Sequence, residues 1–323
     1  MRSLSLFSKV IKEKPEEKDQ LQKELFKRIQ EKSNRKVFAY IVNFKNHPHN
    51  MITREDKSKI VMLIDSISGE TKDLDFILHS PGGIAEAVEM IVKLIRSRFR
   101  NIRFIIPHSA KSGATMLALS GNRILMNKGA ELGPIDPQVE GPTSGPAQSI
   151  IDGFNEIKKA VELEKKLNGA YVPLLNKMDV ATIKRCETAL EYGRALVKDW
   201  LEEYMFQGDP QASSKAENIA KFFSDHNLHL THGRPIFRDE VRVQGVQVDN
   251  TEAIDMELAN LIWEYYYRFE TIFGSNLPVT KIFQSESEYI VTYAPVVQIQ
   301  SPIQIPGPPP QVPQPTKPQK LGP

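Results

Sequence analysis

A single cysteine, Cys186, stands in 323 residues, so an internal disulfide framework is excluded and the usage is that of a reducing compartment. Cys186 itself reads as a small buried helix residue rather than a nucleophile. Long apolar runs are also missing. Nothing approaches the roughly 20 residues of a membrane span, and the apolar stretch at residues 4–7 is cut off by Lys9 before it could act as a secretory leader. A cytoplasmic location is the expectation. Charge of one sign is absent too: 42 basic and 40 acidic residues, intermixed, leave +2 and no electrostatic footprint for nucleic acid. Metal-ligand sets are lacking as well. His47 and His49 flank Pro48 in a loop without further ligands, and the His226-x-x-His229-x-x-His232 spacing has no cysteine or carboxylate motif beside it, so neither a metal nor another cofactor is expected.

What is present is enough apolar material, 40% of residues, for one substantial core. The ends stay outside it. Residues 9–36 are dense in Glu, Lys and Gln, with Leu21, Leu25, Phe26 and Ile29 at helical spacing, which predicts an amphipathic helix docked on the body or on a second subunit. From residue 301 the chain holds 9 of its 22 prolines and no acidic residue, the composition of an extended tail that cannot bury enough surface to fold alone. Such a tail reads equally as a docking peptide and as solvated chain. Four segments follow: residues 1–36 a charged helix, 37–275 the folded domain, 276–300 an extension and 301–323 a disordered proline-rich tail.

Within the domain, strand-like runs at 37–42, 74–78, 102–106 and 123–126 alternate with helical patterns at 53–67 and 84–98, and residues 116–119 are apolar on every side, as in a helix buried deep in the fold. That alternation is the mark of a layered α/β domain. Beyond residue 140 long helical stretches dominate, over 149–167, 180–206, 213–224 and 251–273, the last carrying Trp263 and Tyr265-Tyr266-Tyr267 as core or subunit interface.

Two strand-to-helix corners carry the chemistry. The first is Ser80-Pro81-Gly82-Gly83, where absent side chains let a carbonyl oxygen approach backbone N–H groups closely. The second is His108-Ser109-Ala110-Lys111-Ser112-Gly113-Ala114-Thr115, where Ser112 opens a helix and the N–H of Gly113 follows it. A nucleophile and backbone donors from separate corners are the requirements of acyl transfer. The base is left among His226, His229, His232, His108 and His79; a Ser–Lys dyad is the other route, with Lys111 pointing away from its neighbour and Lys158 and Lys159 without motif support.

The series Ser-Pro-Gly-Gly, Ala-Lys-Ser-Gly-Ala-Thr, Arg123-Ile-Leu-Met126 and Leu132-Gly-Pro-Ile-Asp-Pro-Gln138 resembles the serine dehydrogenase proteinase family, relatives of Clp protease and signal peptide peptidase A. The likeness is clearest over residues 37–139 and extends more weakly to about residue 245. It implies a Clp/crotonase-like α/β fold of repeated β-β-α units wound as a superhelix, with a helical C-terminal part. It also implies Ser112 as nucleophile and Gly83 and Gly113 as the oxyanion hole. Two departures stand out: Ser112-Gly113-Ala114 replaces the commoner Ser-Ala-Gly, and the segment that carries the histidine in Clp protease, residues 133–137, has none. The family order Ser, Asp, His then implies Asp136 as orienting carboxylate and His232, which precedes a proline-containing turn and a short helix, as base, with His226 as runner-up.

The expected function is peptide-bond hydrolysis through an acyl-enzyme on Ser112 in a homo-oligomer that takes peptide or protein substrates. The alternative is a catalytically inactive oligomeric scaffold recruiting partners through the proline-rich tail; an acyl-CoA enzyme of the same fold would need no serine nucleophile.

Overall fold

The computed structural model describes residues 2–13, 18–45, 49–141, 143–166, 168–176, 179–275 and 277–295. The proline-rich tail and the pair His47-Pro48 lie outside these residues. In chain order the first half contains α1 (Arg2–Ile11), α2 (Lys18–Ser33), β1 (Lys36–Val42), α3 (Lys57–Asp65), β2 (Asp73–His79), α4 (Ala85–Arg98), β3 (Asn101–Ile106), β4 (Ser109–Ala110), α5 (Gly113–Leu119), β5 (Arg123–Met126) and β6 (Glu131–Leu132). The second half contains β7 (Gln138–Val139), β8 (Gly145–Pro146), α6 (Ala147–Glu164), α7 (Val172–Leu175), α8 (Val180–Trp200), α9 (Ala212–Ser224), α10 (His226–His229), β9 (Ile236–Phe237), α11 (Arg238–Val243), β10 (Val248–Asn250), α12 (Thr251–Ile254), α13 (Met256–Phe273), β11 (Val279–Gln284) and β12 (Tyr289–Tyr293).

The strands that read as apolar runs are buried on both faces, which is why they alternate so little in polarity. They form a seven-stranded sheet of order β10-β5-β3-β2-β1-β11-β12, parallel from β10 to β1 and antiparallel at β11 and β12. Period-two geometry sends Phe38, Tyr40, Phe76 and Phe104 into one layer with Ile60, Val88, Ile91 and Leu117 of α3, α4 and α5. It sends Val37, Ala39, Ile41, Ile77 and Ile105 into the other, under α2 and α13. Each such large side chain, fully buried, contributes about 1.5–3 kcal/mol. The expected all-apolar helix is α5, every residue of which is buried, and Cys186 lies buried in α8 beside Ala147 and Ile150.

Several expectations need correction. The charged N-terminal stretch is two helices rather than one; of the two docking sites expected for its stripe the structure shows the body, with Leu25, Phe26 and Ile29 of α2 packed on the sheet and on α13. The helix expected over 251–273 breaks at Asp255, whose carboxylate caps α13 by accepting the N–H groups of Glu257 and Leu258. The C-terminal part is not purely helical: β10 extends one edge of the main sheet, and residues 276–300, expected to be a mere extension, supply β11 and β12 at the other. Lys281 disguised that strand. It is buried, and its ammonium is matched by both oxygens of Asp56 at 2.7 and 2.9 Å, with the Tyr40 hydroxyl donating to the same carboxylate at 2.6 Å.

A second buried charge clamps α2 to the sheet. Asp75 is fully buried in β2, receives the Arg103 guanidinium through Nε at 2.9 Å and Nη2 at 2.6 Å, accepts from Ser33 Oγ at 2.8 Å, and lies 2.7 Å from Arg35 Nε. Removing it takes the carboxylate from the Arg103 guanidinium, 19% exposed, and leaves that of Arg35, 15% exposed, with Asp73 at 3.2 Å. Asp75→Ala should therefore lower the unfolding free energy by about 3 kcal/mol, at the low end for a broken buried pair because both partners reach some water. Denaturant titration measures this, and a change below about 1 kcal/mol would show the cluster to be unimportant.

Candidate active site

A small three-stranded sheet of order β4-β6-β9 governs where the expected site residues emerge. β4 and β6 run parallel, Ser109 beside Glu131 and Ala110 beside Leu132, while β9 returns antiparallel with Ile236 beside Leu132. Ser112 follows β4 by two residues, Asp136 follows β6 by four, and His232 precedes β9 by four. Parallel strands end where an antiparallel partner begins. All three residues, 120 positions apart at the extremes of the chain segment they span, are therefore delivered to the same end of this sheet.

Ser112 occupies the turn between β4 and α5 at φ +50°, ψ −123°, outside the wells that non-glycine residues favour. Holding it there costs about 1–3 kcal/mol, and the surroundings that hold it are specific. Thr115 Oγ1 donates to the Ala110 carbonyl at 2.7 Å and accepts the Gly133 N–H at 3.0 Å, tying α5 back to both β4 and the segment after β6. Against the turn lies the Gly82-Gly83 corner, reached from β2 through the pairing of Ser80 with Ala110. Both glycines have positive φ, +109° and +156°. A Cβ on Gly82 would fall 2.6 Å from Ser112 Cβ, and one on Gly83 only 2.2 Å from the Ile52 carbonyl oxygen. Gly113 is equally close: its missing Cβ would meet Gly83 N at 3.0 Å and Gly83 O at 2.8 Å. The backbones of Gly83 and Gly113 are thus in contact beside the serine, and Gly113 opens α5, where a helix leaves its first N–H groups without intrahelical acceptors.

Asp136, two residues after Pro134 and directly before Pro137, has a side chain only 1% exposed. Its Oδ1 accepts from His232 Nδ1 at 2.6 Å, and its Oδ2 accepts from His226 Nδ1 at 3.0 Å and from Gln138 Nε2 at 3.0 Å. The sequence reading brought Asp136 and His232 forward together but treated His226 only as a rival, and it missed Gln138. The signal for Gln138 was its place two residues past Asp136 across a proline that fixes the turn.

The other candidate bases are engaged elsewhere. His229 Nε2 donates to the Phe222 carbonyl at 2.7 Å and its Nδ1 accepts from Arg234 Nη1 at 2.6 Å; burial lowers its pKa. Among the described residues no group of three or more His, Cys, Asp or Glu side chains is arranged to hold a metal ion, and the three histidines of the 226–232 run split between Asp136 and this separate arrangement. His108 Nδ1 meets Ser109 Oγ at 2.9 Å while its ring stacks on Tyr266. Lys111 points away from Ser112 into the Glu131 carboxylate at 2.7 Å and the Leu132 carbonyl at 3.2 Å. Lys158 and Lys159 lie exposed on α6.

His79 is fully buried between Phe44 and Tyr266, with Nδ1 accepting the Ser109 N–H at 3.3 Å. Desolvation, helped by His108, lowers its pKa from 6.5 to about 3. The folded protein then binds fewer protons than the unfolded chain between those values, so stability is intact above pH 6.5 and falls as pH drops toward 3, by about 1.4 kcal/mol per unit from this residue. Urea titrations at pH 7 and pH 5 on the protein and on His79→Asn should show a shallower loss in the variant, whatever its stability at pH 7; equal losses would mean that His79 is charged in the fold.

The family model described as ClpP-like SDH-type serine proteinase matches residues 6–269. Two uncharacterized proteins of Methanocaldococcus jannaschii are each 31% identical over 201 residues, which make up 62% of this chain and 62% and 60% of theirs. The match thus spans under two thirds of those relatives. Among solved structures, a serine-to-alanine mutant of 1510-N membrane-bound stomatin-specific protease aligns at 22% identity and a TM-score of 0.26, over 44% of this chain and 72% of that one.

Proposed function

The chain belongs to the ClpP-like SDH-type serine proteinases, and on that premise we propose that it hydrolyses peptide bonds through an acyl-enzyme on Ser112, with His232 as general base and Asp136 as its orienter. The observation that carries this reading is the 2.6 Å contact between His232 Nδ1 and a carboxylate that is 1% exposed, made at the same sheet end from which Ser112 emerges. A carboxylate on Nδ1 fixes the tautomer that leaves Nε2 basic, which is what a hydroxyl nucleophile requires.

In the first half-reaction Ser112 Oγ attacks the scissile carbonyl carbon while its proton passes to His232 Nε2. The carbonyl oxygen takes up the electron pair and is stabilised by the N–H groups of Gly83 and Gly113, worth about 3–4 kcal/mol per donor in sites of this type. Collapse of the tetrahedral intermediate breaks the C–N bond as His232 returns the proton to the leaving amine. Water then repeats the sequence on the ester, releasing the acid and restoring Ser112.

The fold belongs with this reading as a Clp/crotonase-like superhelix, in which β3, β4 and α5 form one β-β-α unit. A homo-oligomer is part of the proposal, with contacts on the exposed Leu163, Val172, Leu174 and Val180 of α6 to α8 in place of the buried N-terminal stripe. Peptide or protein substrates, a cytoplasmic site of action and a partner for the proline-rich tail complete it. Among the described residues no helix is long and apolar enough to cross a membrane.

The test is labelling of the intact protein with a fluorophosphonate, followed by mass spectrometry. Covalent mass on Ser112 is the expected result. No labelling in any oligomeric state, with no hydrolysis of a peptide library, would favour the inactive scaffold.

A further inference from the structure

Resting on the triad just described, we propose that His226 is a positioning residue for the same reaction, holding Asp136 in the orientation that serves His232.

An ionised carboxylate only accepts hydrogen bonds, and one removed from water has to find its donors in the protein. Among the described residues Asp136 finds three, and they divide by oxygen: Oδ1 faces His232, while Oδ2 is held by His226 Nδ1 and Gln138 Nε2, each at 3.0 Å. Two donors on one oxygen fix rotation about the bond that carries the carboxylate. Without them Oδ1 and Oδ2 can exchange or tilt, and the imidazole bonded to Oδ1 follows. A misplacement of about 1 Å in such a group can cost on the order of 100-fold in rate.

His226 is itself held for this purpose. It is the first residue of α10, and Asp225 before it caps that turn by accepting the Leu228 N–H at 3.0 Å. Its side chain is 11% exposed against 30% for His232. The edge it does expose lines a polar cavity of about 320 Å³ with Gln148, Leu190, Arg194 and Lys221, and neither Ser112 nor His232 takes part in that lining. Two imidazoles therefore share one carboxylate through Nδ1, but they open onto different spaces. His232 is the one left for the nucleophile.

Asparagine separates a positioning role from proton transfer, because its side-chain amide can offer a donor near the position of Nδ1 and cannot serve as a base at neutral pH. Four variants, His226→Ala, His226→Asn, His232→Ala and His232→Asn, are compared on one peptide substrate at equal concentrations of folded protein. His226→Ala should lower kcat by about 30-fold with KM within about twofold, and His226→Asn should regain at least about tenfold of that loss. Both His232 variants should collapse alike. Nitrogen-15 spectra of the histidine rings provide a readout independent of turnover: His226 and His232 should both be the Nδ1–H tautomer in the protein, and Asp136→Ala should disturb both together.

The inference fails if His226→Ala matches the parent protein, if His226→Asn falls as far as His226→Ala, or if His226 is the Nε2–H tautomer. Collapse of His226→Asn with survival of His232→Asn would exchange the two roles. A parent protein that neither hydrolyses peptides nor takes the label would overturn the peptidase reading itself, and with it any positioning role.

Discussion

Ser112→Ala should eliminate fluorophosphonate labelling and reduce kcat on the order of 10⁶-fold, the scale on which loss of the nucleophile acts in triad hydrolases. The loss is that large because the remaining groups then have only water to activate, and the oxyanion donors retain a residual acceleration of about 10³–10⁴ over the uncatalysed reaction. Folding should survive. The serine side chain makes no structural hydrogen bond to its own helix cap, and alanine inherits the same backbone at φ +50° with one atom fewer. Ser112→Gly extends the test, since glycine adopts positive φ without the steric cost that serine pays. It should be as inactive as the alanine variant yet at least as stable as the parent, a pairing that assigns the strain to the nucleophile's conformation. Turnover within about tenfold of the parent in Ser112→Ala would remove this residue from the chemistry.

The fold was most legible where burial on two faces leaves no choice of residue type. β1, residues 76–78 of β2 and residues 104–106 of β3 are apolar runs, and residues 116–119 of α5 are apolar all round because they lie buried beneath the sheet. Legibility failed where tertiary partners override local pattern. Lys281 sits in the middle of β11 only because Asp56, 225 residues earlier, neutralises it, and no local pattern reports a partner that far away. α2 presented a stripe narrow enough to suit a subunit contact, but the sheet face under it was left uncovered by α3, α4 and α5 and had to be filled from within the chain. The site divides in the same manner. Ser112 and the two glycine corners are consecutive residues at turns, readable because positive φ and close backbone approach admit few side chains. The carboxylate cluster is built from residues 136, 138, 226 and 232, and only the small sheet β4-β6-β9 makes them neighbours. Spacing along the sequence pairs His226 with His229 and His232 and says nothing of a shared acid.

His232→Ala should depress kcat nearly as far as Ser112→Ala does, and Asp136→Asn should cost on the order of 10⁴-fold. A serine hydroxyl does not ionise near neutral pH, so its attack needs an acceptor for the proton as the new bond forms. His232 supplies that acceptor only in the tautomer that carries hydrogen on Nδ1, and the 2.6 Å contact to Asp136 Oδ1 is what selects it. Asparagine at 136 can turn its amide nitrogen toward Nδ1 and select the opposite tautomer, which presents N–H rather than a lone pair to the serine; the geometry survives and the chemistry does not. Here the second imidazole matters, because His226 and Gln138 both donate to Oδ2 and oppose an amide nitrogen on that side, driving it toward His232. Asp136→Asn is therefore expected to be more damaging than a merely weakened contact would be. Asp136→Ala supplies the comparison: by releasing both rings from a forced tautomer it should leave more activity than the asparagine variant, although it opens a buried polar gap and lowers stability by roughly 3 kcal/mol. Steady-state kcat, normalised to the concentration of folded protein, separates the cases. Near-normal turnover in His232→Ala would sink the triad while sparing the nucleophile, and an Asp136→Asn variant more active than Asp136→Ala would show that the carboxylate does not govern the tautomer of His232.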